Sequence, residues 1–282
     1  MRLCSRLRPP VVCYSLGTAM PATRNPRLRI VSLAPSATSI LCAIGARRFL
    51  VGVTKWCADV APVANLPKLG DCWHMKSVDE ILRLKPALVI GSVPYQRETV
   101  AKLLEQPFPF LALNPRTLAD IAADVRLLGG VTHRAAAAEK LVEKMHRAFS
   151  QIATKARRFQ KRVRVYCEAW PNPRISSPPW VAELVGICGG QMIVPSGEQV
   201  AEAQVATAKP DLIVLAWAAT GSKADPQQAY KIAAWKDVPA IRNRQFHVIS
   251  DELLNTPGPP LVQGAHALYK LFLSADRMRE ST

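Results

Sequence analysis

The chain has 282 residues, 49% of them apolar and 21% charged, enough for one large or two modest domains each with its own core, which excludes a disordered chain or a disulfide-stapled miniprotein. It contains no run of about 18 apolar residues, so no segment is expected to cross a bilayer as a helix. Thirty-seven Lys and Arg against 21 Asp and Glu leave a net charge of +16, which raises three readings: nucleic-acid binding, attraction to an anionic surface, or plain solubility.

Residues 1–27 carry five arginines and no acid. They read as a leader, either a secretory signal spoiled by Pro9, Pro10 and Pro21 or a stretch upstream of a true start at Met20. A regular pattern begins at Leu28. Arg29–Leu33 predicts a buried strand, Ala34–Ser36 a loop, and Thr38–Gly45 a short apolar helix closed by glycine. Leu50–Thr54 predicts a second strand. Ser77–Leu84 predicts a helix with Ser77 as N-cap and Glu80 completing a capping box, stopped by Lys85-Pro86. A strand at Ala87–Ile90, a helix at Glu98–Leu104 and a strand at Phe110–Leu113 follow. Thr132–Arg158 carries Leu141, Val142, Met145, Phe149 and Ile152 on one stripe and predicts a single long helix.

The second half repeats this order. Val163–Cys167, Asp211–Leu215 and Phe246–Ile249 predict strands, and Trp180–Cys188 and Gln199–Ala208 predict helices, with Lys85 to Lys209, Arg29 to Arg162 and Phe110 to Phe246 offset by 124 to 136 residues. The fold class expected is α/β, with two similar parallel-sheet lobes joined by one long backbone helix. The expected division is a leader at 1–27, lobes at 28–130 and 161–275, a linking helix at 131–160 and a tail at 276–282.

Seven cysteines show neither Cys-x-x-Cys nor any zinc spacing, so no metal site is expected. Cys42, Cys167 and Cys188 read as small core residues, while Cys57 and Cys72 each adjoin a tryptophan. A basic knot at Lys155, Arg157, Arg158, Lys161, Arg162 and Arg164 lacks the aromatics or reading helix of a nucleic-acid interface, so no nucleic-acid partner is expected and the knot reads as a solvated face at a helix end. The sequence contains no nucleophile elbow, zincin motif, phosphate loop or paired carboxylates, so no catalysis is expected.

The segments at 29–45 (RIVSLAPSATSILCAIG), 50–54 (LVGVT), 77–90 (SVDEILRLKPALVI), 180–185 (WVAELV), 208–215 (AKPDLIVL) and 257–264 (PGPPLVQG) resemble, in wording and order, the substrate-binding proteins of ABC importers for cobalamin and iron complexes, nearest to the cobalamin-binding members. The resemblance covers about residues 28 to 275. It implies a monomeric protein without a prosthetic group, outside the cytoplasm, that captures a corrinoid between its lobes and hands it to a permease. A ferric siderophore or haem as ligand, and an unexported cytosolic corrinoid binder, stay open as alternatives. A zinc enzyme built on Cys57, Cys72 and His74 is the competing class.

In two-lobed α/β proteins the ligand lies at the carboxyl ends of the strands, here the loops after residues 33, 54, 90, 167, 215 and 249. Trp56, Trp73, Trp170 and Trp217 fall in or near these loops, and flat aromatic rings suit a flat corrin. Trp180 and Trp235 read as core. By resemblance, Trp56 and Trp73 pack at the corrin and the cleft mouth, the loop 167–173 closes over the ligand, Pro35 and Ser36 offer a tight turn with a free amide, and Cys57 and Cys72 become rim thiols. The family docks on its permease through one carboxylate per lobe. Asp79, with Glu80 beside it, matches the first; Asn255 falls at the second, which shifts the expected contact to Asp251 or Glu252.

Overall fold

The computed structural model describes residues 28–280 apart from 74, 76, 219–224 and 226. The expected leader lies outside the described residues. The first half builds β1 (Ile30–Ser32), α1 (Pro35–Ala43), β2 (Leu50–Thr54), β3 (Lys68–Leu69), α2 (Asp79–Arg83), β4 (Leu88–Ser92), α3 (Arg97–Leu104), β5 (Phe110–Leu113) and α4 (Leu118–Val131). Its sheet is parallel in the order β3-β2-β1-β4-β5. The central strand, Ile-Val-Ser, is buried on both faces, as a parallel sheet covered by helices requires. Pro35 supplies the preset φ of a first helical position in α1, and Gly45, at φ +73, ends that helix in the left-handed conformation that glycine adopts without strain.

The second half contains α5 (Ala135–Ala156), β6 (Val163–Pro171), β7 (Arg174–Ser176), α6 (Pro179–Ile187), β8 (Gly190–Met192), α7 (Glu202–Ala208), β9 (Leu212–Leu215), α8 (Gln227–Tyr230), α9 (Pro239–Arg242), β10 (Phe246–Val248), α10 (Glu252–Asn255) and α11 (Leu261–Glu280). The sheet runs β10-β9-β6, with the other edge of β6 shared. Its first residues pair parallel with β8, and its last residues turn back as an antiparallel hairpin with β7. The loop expected at 167–173 is therefore mostly strand and hairpin tip. The residues expected as a tail from 276 to 280 continue α11.

Four apolar clusters cover both faces of both sheets. Helix α5 joins them: Ala138, Leu141 and Val142 pack against the first lobe, and Met145, Phe149 and Ile152 belong to the core of the second. Its 22 residues span about 33 Å. The helix is shorter than the predicted 132–158 because Thr132 caps α4 through its hydroxyl on Leu128 O (2.7 Å) and His133 turns the chain at φ +55. The sequence reading passed over α4 itself. A capping box opens it, with Asp120 N donating to Thr117 Oγ1 (3.0 Å) and Thr117 N to Asp120 Oδ2 (2.9 Å). A Cβ at Gly129 would lie 2.4 Å from Ala138 Cβ, so this glycine lets α4 and α5 cross closely rather than ending the helix.

Candidate ligand cleft

The carboxyl ends of the two sheets meet. Leu118, after β5, donates its N–H to Glu183 Oε2 of α6 at 3.0 Å, and Val93, after β4, packs into the core of the second lobe. The turn at Gly258, after β10, lies against Ser36 and Ser39 of α1. Loops that follow the strands of each lobe thus face each other across a cleft, where open α/β sheets bind ligands.

On the first lobe Asp71 organises the aromatic wall. Its carboxylate accepts from Trp56 Nε1 (3.3 Å) and from the backbone N–H of Trp73 (2.9 Å), drawing the loops after β2 and β3 together. The Lys55 ammonium lies 4.3 Å from the centre of the Trp56 ring. Gln96 N donates to Cys72 O (3.1 Å) and Tyr95 OH to Leu113 O (2.8 Å), tying the loop after β4 to the same wall. Trp73 is 45% exposed although clamped, an unusual position for a large apolar ring. His74 lies outside the described residues.

On the second lobe Trp170 sits near the end of β6, 41% exposed, with its indole N–H donated to Asn172 O (2.8 Å) across the hairpin tip. Behind it Glu168 is fully buried. Its carboxylate accepts from Tyr166 OH (2.7 Å), Trp217 Nε1 (2.9 Å) and Arg174 Nη1 (2.9 Å). Burial and the adjacent Glu168 charge push the Tyr166 hydroxyl far above its ordinary value, so it stays a donor. Arg174 also reaches Glu202 (3.2 Å) and lies 4.7 Å over the Trp235 ring. This network fixes the hairpin that presents Trp170.

The structure brings Trp56 and Trp73 together and places Trp170 on the other lobe, but it corrects several expectations. Trp217 is 7% exposed, packed with Val205, Trp235 and Phe246 and held by Glu168, so it supports the cleft from the core. Cys57 and Cys72 are not rim thiols. Both are buried, Cys57 between the hydroxyls of Thr38 and Thr54 (3.1 and 3.2 Å), with burial raising its thiol and pushing that of Cys72 up to about 12. Pro35 and Ser36 form no loop turn: they are the first residues of α1, and Ser36 is covered by the Gly258 turn. Asp79 and Glu80 stand exposed at the start of α2. The predicted capping box is absent because that helix begins two residues late and Ser77 bonds Asp79 instead. Asp251 and Glu252 are half-buried. Glu252 accepts from Ser250 Oγ and lines a seam cavity of about 490 Å³ with Ser39, Arg47, Asp59 and Gln263. Asn255 holds Ala216 O at 2.6 Å.

Asp71, Glu168 and Arg174 escaped the sequence reading. The one signal was a lone acid, Glu168, inside an apolar strand with an arginine just beyond a Pro-Asn-Pro turn.

Asp124, on α4 near Tyr95, has its carboxyl raised to about 6 by burial and the charge of Asp120. Below pH ~4 the group is protonated folded and unfolded alike. Between ~4 and ~6 the unfolded chain ionises first, so native stability falls as pH rises, and above that the folded state carries the cost of a half-buried anion. Asp124→Asn is expected to raise Tm by about 2–4 °C at pH 8 and leave it unchanged at pH 4, as read by thermal unfolding.

The sequence profile of the periplasmic binding protein family matches residues 30–253. The chain belongs to this family. The vitamin B12-binding protein of Vibrio parahaemolyticus is 23% identical over 270 residues, covering 93% of this chain and 95% of that protein. The vitamin B12-binding protein of Vibrio cholerae is 27% identical over 246 residues, covering 83% and 85%. An ABC transporter substrate-binding lipoprotein of Bacillus subtilis is 24% identical over 252 residues, covering 85% and 78%. Among solved structures, the periplasmic vitamin B12-binding protein of Vibrio cholerae superposes with a TM-score of 0.71 at 23% identity, covering 89% of this chain and 98% of that one. A periplasmic haem-binding protein of Roseiflexus superposes at 0.75 with 22% identity, covering 88% and 98%. The chain thus has the two-lobed, helix-joined fold of the family's substrate-binding proteins.

Proposed function

We propose that the protein captures a corrinoid of the cobalamin type in its inter-lobe cleft, outside the cytoplasm, and delivers it to an ABC permease. The observation that carries this reading is the pair of exposed tryptophans, Trp73 and Trp170, one on each lobe, each anchored by its own loop. Anchored rings bury area against a flat macrocycle at little entropic cost.

The remaining lining favours a corrinoid over the alternatives. The segments at 33–36, 55–57, 70–73, 93–96, 114–117, 168–173, 216–218 and 249–251 contain one arginine, Arg116, and one lysine, Lys55, which lies over Trp56. An anionic siderophore or the propionates of haem would call for convergent cations. The names of the cobalamin-binding relatives agree with this reading. Asp79 and Glu80 would meet the permease from the first lobe, with Asp251 and Glu252 as the weaker second contact at the seam.

Equilibrium dialysis of the full chain against equimolar cyanocobalamin and haemin tests the ligand class. Retention of cyanocobalamin, at least tenfold over haemin, is expected; preferential retention of haemin would overturn the assignment.

A further inference from the structure

We propose that the end of the second lobe remote from the cleft is a docking surface for an anionic phospholipid bilayer. Strands β6, β9 and β10 are parallel neighbours and so begin at one common edge, opposite the ends that carry Trp170 and Trp217. The segments that enter them are strongly basic. Lys155, Arg157 and Arg158 end α5, and Lys161, Arg162 and Arg164 lead into and begin β6. Lys209 precedes β9, and Arg242 and Arg244 precede β10. All nine side chains are exposed. Main-chain bonds hold the segments side by side, Asp211 N to Arg164 O (2.8 Å) and Ile213 N to Gln245 O (2.9 Å).

On segments 155–164, 208–211 and 242–245 the only carboxylate is Asp211, and it accepts from the Arg164 N–H at 2.9 Å. Complementing the negative end of α5 needs one or two cations, not nine. Lys209 and Arg244 occupy left-handed backbone at φ +47 and +56, where glycine would sit without strain, so the turn tips carry charge in place of the easier residue.

The partner's chemistry follows from what accompanies the charge. The one aromatic on these segments, Phe159, is half-buried and stacked on Tyr269 with centroids 5.8 Å apart, leaving no ring to stack on bases or to enter the acyl layer. The basic segments themselves are helix ends, turns and a strand start, none of them a helix that could lie in a groove. A broad basic end without aromatics matches a layer of phosphate headgroups, to which basic residues are drawn within a Debye length. Docked this way, the protein keeps its cleft open to solvent while held at the membrane that houses an importer. The inference concerns this surface alone and stands or falls independently of the ligand.

The test is co-sedimentation of the full chain with phosphatidylglycerol-containing vesicles and with pure phosphatidylcholine vesicles, at low and high salt. Binding to the anionic vesicles only is expected, falling at least tenfold at high salt. Four reversals, Arg157→Glu, Arg158→Glu, Lys161→Glu and Arg162→Glu, are expected to lower it at least tenfold with circular dichroism and Tm retained. Four matched reversals on the first lobe and α5, Arg83→Glu, Arg97→Glu, Lys102→Glu and Lys140→Glu, are expected to lower it by less than threefold. Equal binding to neutral vesicles would overturn the proposal. So would undiminished binding by the first variant, which keeps residues 1–27 and their arginines, or tighter binding to a short DNA duplex than to vesicles.

Discussion

Glu168→Ala is expected to cost about 3–5 kcal/mol of global stability, measured by urea unfolding, more than any other single polar substitution in the second lobe. The carboxylate has no exposure and serves three donors, so its removal leaves the Tyr166 hydroxyl, the Trp217 indole and one arm of Arg174 without their acceptor. An unpaired buried donor costs about 1–3 kcal/mol, and a partly buried guanidinium more. Glu168→Gln keeps shape and an acceptor but loses the charge, so it is expected to cost about half as much. Arg174→Ala alone leaves a buried anion with two neutral donors. The double replacement Glu168→Ala/Arg174→Ala is therefore expected to cost less than the sum of the singles, with a coupling of about 1–3 kcal/mol. A loss below about 1 kcal/mol for Glu168→Ala would show that the network does not hold the hairpin.

The second large effect concerns binding. Trp56→Ala and Trp73→Ala are each expected to weaken cobalamin binding by about 2 kcal/mol, close to 30-fold, because each removes a ring from the wall that Asp71 holds, Trp56 through its indole N–H and Trp73 through its backbone N–H. Neither is expected to lower stability by more than about 1 kcal/mol, since Trp73 is 45% exposed and Trp56 only half-buried. Together they are expected to weaken binding by about 10³-fold if the rings act on separate parts of the macrocycle, and by less if they share one contact. A double variant with wild-type affinity would move the ligand away from this wall.

The parts of the fold visible in the sequence were those set by local pattern. Ile30–Ser32, Leu50–Thr54 and Leu212–Leu215 are short β-branched or apolar runs bounded by turn residues, and each forms a strand of a buried parallel sheet. The stripe from Leu141 to Ile152 marked the backbone helix for the same reason. Errors arose where tertiary contacts decided the structure. Helix α4 was passed over although Gly129 permits its crossing with Ala138, and the segment 167–173, expected by resemblance as a loop, forms with β7 a hairpin. The site was half visible. Tryptophans in polar loops pointed to a binding wall, but the indoles of Trp56, on the wall, and Trp217, behind it, are held by acceptors far away in sequence. Asp71 lies 15 residues from Trp56 and Glu168 lies 49 from Trp217, distances that no periodicity records. Cys57 and Cys72 misled because a thiol next to an exposed ring can itself face inward, as both do.

Calorimetric titration of the full chain and of the Trp56→Ala/Trp73→Ala variant with cyanocobalamin tests the central claim most directly. The account expects one saturating 1:1 isotherm for the wild-type protein and an affinity about 10³-fold lower for an equally stable variant. A folded wild-type protein that gives no binding heat at any of several temperatures and retains no cyanocobalamin on dialysis would contradict it.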